Sequence, residues 1–327
     1  MIEGTLTRFL FCLLLMLAAS LAYARAPGRF SFAIIGDAPY NSREETLFEQ
    51  MLAEINQENV AFVVHVGDIK DGSSPCSDEL YEARKRMFQA SRYPFILVPG
   101  DNDWTDCHRR GAGRYDPLER LVKLRQVFYA DERSLGQNTL ELERQSDAPG
   151  TESRFREYRE NVRWTADGVL FVGLNVPGSN NNFGRTAQMD AEHAQRGAAN
   201  TAWLKQAFEL AHSKDCAAVF VFIQANPDFD LSYLRRVNRA DGYAALKREL
   251  LAHALAFGKP VVLVHGDTHR FRIDHPLYDP ATLGRVEQFT RVESFGSPFV
   301  DWIKVTIDPG NPKLISYRTG RTPNYGQ

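Results

Sequence analysis

Residues 95–107 read FILVPGDNDWTDC: an apolar run that ends in Pro-Gly and spills into three aspartates, Asp101, Asp103 and Asp106. Carboxylates this close repel one another and resist losing water, so beside a buried strand they persist in one of three ways: fully solvated, bonded to backbone amides, or sharing a cation. The choice depends on what else the chain brings to the same place.

The motif is one of a set. FAIIGD (32–37), FVVHVGD (62–68), VLFVGLN (169–175), AVFVFIQAN (218–226) and VVLVHGDTH (261–269) are likewise short β-branched or aromatic runs ending in glycine or a polar residue. Runs apolar at every position suit strands covered on both faces. Helical patterns lie between them. Ser42 and Glu45 form a capping box opening a helix whose stripe is Leu47, Phe48, Met51, Leu52 and Ile55. Asp116-Pro117 opens another through Leu118, Leu121, Val122, Leu124 and Phe128. Further helices are predicted over 201–212 and over 243–258, the latter ending at Gly258. After residue 270 the texture turns to alternation in FRIDHP, VEQFTRVESF, FVDWIKVTID and KLISYRT, which reads as antiparallel strands. Segment 131–160 reads as a polar surface excursion and 178–185 as an Asn-rich loop. No linker separates the parts, so 25–327 reads as one domain of the α/β class.

Composition narrows the partners. The chain has 327 residues, 24% of them charged, with a net charge of −2 and both signs scattered. No basic stripe argues for nucleic acid, which disfavours a secreted nuclease. At the N-terminus Arg8 precedes FLFCLLLMLAASLA, an apolar stretch too short to span a bilayer comfortably, followed by the small-x-small pattern AYA at 22–24. Segment 1–24 is therefore read as a signal peptide cut after Ala24, leaving no stable membrane insertion; the alternative is an uncleaved anchor, since Glu3 weakens the positive flank. Export, to a periplasm or beyond, makes exposed thiols rare, and a Cys76–Cys107 disulfide is expected. Cys216, opening an apolar run, reads as a buried free thiol.

In open α/β sheets ligands gather beyond the carboxyl ends of the strands. Asp37, Asp68, Asp101, Asn175, Gln224 with Asn226, and Asp267 with His269 all lie just past a strand end. A Gly-Asp after one strand is ordinarily a turn with a helix cap. Six such ends together form a metal-ligand inventory.

GD at 36–37, GDIKD at 67–71, PGDND at 99–103 and HGDTH at 265–269 resemble, in order and spacing, the motifs GDxH, GDxxD, GNHD or GNHE, and GHxH of the calcineurin-like metallophosphoesterases. The resemblance covers about residues 30 to 275. It implies a two-layer β-sandwich flanked by helices, holding two divalent metal ions about one hydroxide and a bridging aspartate. Asp37 matches the first-metal aspartate, Asp68 the bridging one and His269 the second histidine of GHxH. Asp101 stands for the family's asparagine and Asp267 for the first histidine of GHxH; both can still ligate. Gln224 or Asn226, in QANP, stands near the family's His-x-Pro. Pro39 replaces the histidine of GDxH and cannot bind metal. Asn102 replaces the histidine of GNHD that helps protonate the leaving group.

The departures exchange imidazoles for carboxylates. Oxygen-rich shells suit Mg²⁺ or Mn²⁺, with Ca²⁺ also possible, better than Zn²⁺ or iron. Four aspartates against two divalent ions leave about zero charge where two would leave about +2. Asn102, Asp103, His108 and His265 are the candidates for leaving-group chemistry, His265 otherwise serving as a supporting donor. Arg109, Arg110, Asn175 and Arg185 are the candidates for holding substrate; Asp103 is otherwise expected to order its loop through backbone amides, and Asp106 to face water. The reading is an exported metal-dependent phosphoesterase acting on a small-molecule phosphate ester by attack of metal-bound hydroxide. The competing reading is a non-catalytic relative that binds a metal, ligand or partner at the same face.

Overall fold

The computed structural model describes residues 28–229 and 240–320. The signal peptide expected at 1–24 lies outside the described residues. Twelve strands form two sheets. In the first, β1 (Phe30–Ile35), β2 (Val63–His65) and β3 (Phe95–Leu97) run parallel. The antiparallel β11 (Ile303–Ile307) and β12 (Ile315–Thr319) extend that sheet beyond β1. In the second, β6 (Val169–Gly173), β7 (Ala218–Phe222), β8 (Val261–His265) and β10 (Phe289–Glu293) form a parallel centre. Its edges are antiparallel: β4 (Glu143–Arg144) and β5 (Val162–Ala166) on one side, β9 (Arg272–Asp274) on the other.

Side chains alternate between the faces of each strand, and both faces are apolar, so each sheet is covered twice. Phe32 and Ile34 of β1 point into the inter-sheet core with Phe62, Phe171, Phe220 and Phe222, while Ala33 and Ile35 point the other way. Phe32 stacks on Phe62 at 4.9 Å and meets Phe171 edge-on at 5.3 Å, arrangements that aromatic quadrupoles favour. Outside the first sheet pack α1 (Ser42–Gln57), α2 (Asp78–Gln89) and α3 (Pro117–Phe128). Outside the second pack α4 (Ala187–Ser213) and α5 (Ala244–Phe257). The result is the two-layer β-sandwich flanked by helices. Among the described residues no helix is long and apolar enough to cross a membrane.

Several local expectations change. The cap of α1 sits one residue earlier: Asn41 accepts the Glu44 N–H at 3.0 Å, and Glu44 answers by accepting the Tyr40 N–H at 2.8 Å. Val122 is 50% exposed and lies off the buried stripe of α3. Helix α2, not among the predicted helices, turns Leu80, Tyr81, Met87 and Phe88 to the core, with Arg84 buried among them, its Nε donating to Ile69 O at 2.6 Å. Helix α4 starts at Ala187, well before the predicted 201. Segment 131–160 is no surface excursion: it contributes β4 and buries Arg144, Tyr158 and Glu160. Strand β10 is parallel to β8, not antiparallel, and its charged residues are inside because Arg291 pairs with Asp274 and Glu293 with Arg272. Cys76 and Cys107 are joined, with Cα atoms 5.7 Å apart, and Cys216 is a buried free thiol. Far from lying in exposed loops, both bonded cysteines are fully buried.

Candidate metal centre

The strand-end aspartates sit in backbone conformations that ordinary side chains rarely adopt. Asp37 (φ 49), Asp68 (φ 56), Asp267 (φ 76) and His269 (φ 57) are all left-handed. Each costs of order 1–3 kcal/mol unless its surroundings enforce it, and such residues cluster at functional sites. Here the enforcement is backbone hydrogen bonding: Asp37 N–H donates to Gly67 O at 2.9 Å, and Asp37 Oδ1 accepts the Asp267 N–H at 3.0 Å. The turns thus brace one another across the two sheets. Glycine makes room for them; a Cβ on Gly266 would lie 1.9 Å from Asp37 Oδ2.

Two groups of donors result. Tyr40 Oη lies 3.2 Å from Asp68 Oδ2 and 3.2 Å from His269 Nε2, and that nitrogen is 3.7 Å from Asp37 Oδ1. His269 Nδ1 stands 2.7 Å from Ser297 O, which can only accept, so the proton is on Nδ1 and the Nε2 lone pair faces the carboxylates. The second group is Asp101 and Asp267. A Cβ on Gly178 would meet Asp101 Oδ2 and Asp267 Oδ1, each at 2.8 Å, so that glycine marks a hollow between the two oxygens. Asn102 bridges towards the first group, donating through Nδ2 to Asp68 Oδ2 at 2.8 Å and through its backbone N–H to Asp68 Oδ1 at 3.0 Å.

The electrostatics are unbalanced. Burial, followed by the charges of neighbouring carboxylates, holds Asp37 and Asp68 well above the usual carboxylate range. The same two causes push Asp101 up to about 7 and Asp267 up to about 6. Like charges out of water disfavour ionisation, and a cation relieves them.

The aspartates of the opening stretch divide three ways. Asp101 joins the carboxylate cluster. Asp103 spends both oxygens on backbone, accepting N–H groups from Ile69 at 2.8 Å, Gly100 at 2.7 Å and Asp68 at 3.1 Å. That engagement leaves it holding the loop, not delivering a proton. Asp106 does not face water: it is 1% exposed and bound by Arg109, Arg185 and the Ser179 hydroxyl, the last at 2.8 Å.

Other candidates separate similarly. Gln224 Oε1 accepts the Gly178 N–H at 2.6 Å while its buried Nε2 has no partner, whereas both ends of the Asn226 amide are engaged locally, by Thr268 and Asp228. In both side chains the carbonyl oxygen, the atom able to ligate a metal, accepts a backbone N–H; Gln224 differs in its Nε2, an N–H group that bonds acceptors and not metals. Arg109 reaches from Asp106 to Gly72, where a Cβ would meet its Nη1 at 2.7 Å and Asn102 Oδ1 at 2.9 Å, placing it beside the site. Arg110 and His108 are exposed; His108 Nδ1 donates to Thr105 O at 2.9 Å. Asn175 is not a substrate contact: it is fully buried, its Nδ2 donates to Glu160 at 2.9 Å and its backbone N–H to Asn161 at 2.8 Å. His265 gives the site nothing: Nδ1 donates to Gly266 O at 2.8 Å, Nε2 is unpaired, and burial pushes it down to about 3.

Two participants went unread in the sequence. Tyr40 lies three residues after Asp37, in GDAPY, and only the strand-end rule applied past the aspartate could have singled it out. Ser179 begins a run of four left-handed residues through Asn182, and its hydroxyl donates within a shared contact to Asp101 at 2.7 Å and Asp106. Four in succession is a conformation that L-residues resist. Arg196 of α4 holds it, donating to Asn175 O at 3.0 Å and to Asn181 Oδ1 at 2.6 Å.

The calcineurin-like phosphoesterase family model matches residues 30–271, most of the chain and every strand-end motif described above. The chain belongs to that family. No curated protein sequence matches it. Among solved structures it is similar to PhoD, with a TM-score of 0.54 at 14% identity over 86% of this chain and 64% of that chain, a likeness of fold. It is also similar to a dimetal phosphatase from Danio rerio, with a TM-score of 0.47 at 13% identity over 85% of this chain and 95% of that chain. Purple acid phosphatase PPD1 from yellow lupin (Lupinus luteus) seeds gives 0.44 at 12% identity over 85% and 49%.

Membership in the calcineurin-like phosphoesterases implies a dinuclear divalent-metal centre. The residues fit one in chemistry: oxygen donors with one imidazole, an accumulation of uncompensated carboxylates, and a hollow at Gly178 between two of them. Their donors are not yet converged, for among the described residues no three His, Cys, Asp or Glu side chains stand ready to hold an ion. Instead Tyr40, Asn102 and Ser179 hold the carboxylates by hydrogen bonds.

Proposed function

We propose that the protein is an exported, metal-dependent phosphoesterase that hydrolyses a small-molecule phosphate ester. The observation carrying this reading is the gathering of Asp37, Asp68, Asp101, Asp267 and His269, from strand ends of both sheets, with carboxyl groups held above their ordinary range. Asp37, Asp68 and His269 would hold one divalent ion, Mg²⁺ or Mn²⁺, and Asp68, Asp101, Asp267 and Gln224 the other. Such ions, when bound, offset phosphate charge and make water a competent nucleophile at neutral pH.

The chain's own residues supply the rest. Asn102 orients Asp68 and offers an amide to a phosphoryl oxygen. Arg109 and Arg185, both resting on Asp106, bind the phosphate at the mouth, where a guanidinium fork matches paired oxygens. Tyr40 O–H, between Asp68 and His269, joins Asn102 and Ser179 as the protic groups set against the carboxylates.

Hydrolysis of p-nitrophenyl phosphate and bis(p-nitrophenyl) phosphate with Mg²⁺, Mn²⁺, Ca²⁺ or Zn²⁺, beside Asp68→Asn, tests the reading. Metal-dependent turnover that disappears in the variant is expected. A folded protein that binds metal yet turns over neither ester would replace it with a non-catalytic relative. N-terminal sequencing of protein recovered from outside the cytoplasm is expected to begin at Arg25.

A further inference from the structure

We infer that the site selects phosphate monoanions, a phosphodiester in preference to a phosphomonoester, and seats an aromatic group of the ester on Phe271. This rests on the reading of the centre as a phosphate-ester site and adds its substrate class. The first observation is charge. Asp37, Asp68, Asp101 and Asp267 carry four negative charges, which two divalent ions cancel. Arg109 and Arg185 add two positive charges, but both close on Asp106, which removes one. Asp103 and Lys70 lie near enough to interact and offset each other. Among the described residues these groups leave about one positive charge, which the hydroxide held between the two ions would take up, so the site is about neutral toward its substrate. A diester brings one negative charge to such a site; a monoester dianion brings a second, at a higher electrostatic cost against the carboxylates.

The second observation is an aromatic step beside the ligands. Phe271 and Phe295 stack face to face, with centroids 4.5 Å apart and planes 11° from parallel. Phe295 packs on the inter-sheet core, so the pair is anchored, and Phe271 is 38% exposed. Their place in the chain ties them to the centre. Phe271 follows His269 by two residues. Phe295 stands between Ser294, whose hydroxyl lies 3.5 Å from Asp37 Oδ2, and Gly296, where a Cβ would meet Asp37 Cβ at 2.6 Å and the His269 ring at 2.8 Å. An exposed ring face on a supported stack is a platform for a planar, apolar group. A diester has the second substituent to use it.

Calorimetric titration of the Mn²⁺-loaded full chain at about pH 8 with three unreactive C–P analogues separates the parts: phenylphosphonate, mostly a dianion at that pH, with a ring; methyl phenylphosphonate, a monoanion with a ring; and methyl methylphosphonate, a monoanion without one. Methyl phenylphosphonate is expected to bind about tenfold tighter than either of the others. Phe271→Ser is expected to erase its advantage over methyl methylphosphonate, and Phe271→Tyr to keep it. Phenylphosphonate binding as tightly as its methyl ester, or no binding by any of the three, would overturn the charge argument; indifference to Phe271→Ser would overturn the platform. Absence of turnover with this binding order intact removes the enzyme and leaves the inference. Turnover that favours p-nitrophenyl phosphate does the reverse.

Discussion

One cluster of buried polar residues, at the edge of the second sheet, is complete; another, where strand ends of both sheets meet, is not. Around Asn175 the protein closes its own account: Glu160 is wholly buried, yet the Arg125 guanidinium, bonded to both its oxygens at 2.8 Å, outweighs burial and holds it below the usual carboxylate range. Asn161, Gln145 and Asn200 link on through hydrogen bonds of 2.8 Å. Around Asp37, Asp68, Asp101 and Asp267 burial and mutual repulsion dominate and hold the carboxyl groups above their ordinary range. Both clusters sit past strand ends and look alike as sequence. The difference is charge balance: a compensated buried network stabilises a fold, whereas an uncompensated one is kept for something that binds.

The largest effect should come from breaking the complete cluster. Arg125→Ala leaves Glu160 buried and unpaired, and chemical denaturation should show a loss of about 3–5 kcal/mol with metal affinity unchanged. A loss below about 1 kcal/mol would mean that the network is not compensated as described.

The two clusters also carry opposite pH signatures. In chelator-treated protein Asp101 and Asp267, at about 7 and about 6, stand above their unfolded values, so their contribution is full below about pH 4 and disappears as pH rises through 6 and 7. Glu160 stands below its unfolded value, so its contribution is present above that value and is lost as pH falls. Unfolding midpoints of the chelated protein should therefore fall between pH 5 and 8, by a few kcal/mol in stability, and Asp101→Asn should flatten the slope. A slope that steepens in that variant would contradict the assignment.

Divalent ions should reverse this loss. At a hundredfold excess over Kd, Mn²⁺ stabilises by about 2.7 kcal/mol, read as a higher melting temperature. Asp68→Asn should lose most of the shift, while Arg125→Ala keeps it. Gly178→Ala puts a methyl group 2.8 Å from both Asp101 Oδ2 and Asp267 Oδ1 and should weaken ion binding by about tenfold or more, beyond the stability that the same clash costs the ion-free protein. The smallest effect belongs to the choice between neighbouring amides: Gln224→Ala should lower ion affinity severalfold, and Asn226→Ala hardly at all. The reverse order would move the ligand to Asn226.

Much of this was legible along the chain because it is local. Alternation and continuous apolar runs marked ten of the strands by position, Asp116-Pro117 and Gly258 marked helix ends, and Gly-Asp after four of the strands marked the metal motifs, since each signal needs only a few adjacent residues. Helix α2, strands β4 and β5 and the parallel sense of β10 were not legible, because in each of these polar or charged residues are buried against partners distant in sequence. Arg84 reaches Ile69, Arg144 reaches Arg159, and Arg291 reaches Asp274.

The site divides along the same line. Residue type and strand-end position by themselves determined which carboxylates and which imidazole face the centre, because the carboxyl edge of a sheet is a consequence of chain direction. Only the tertiary structure decided that Asn175 turns to Glu160, that Asp106 gathers two arginines, and that Tyr40 and Ser179 enter. A side chain's partner is set by whichever chain segment folds against it, and pairing a buried charge is a long-range condition that no short stretch of sequence contains.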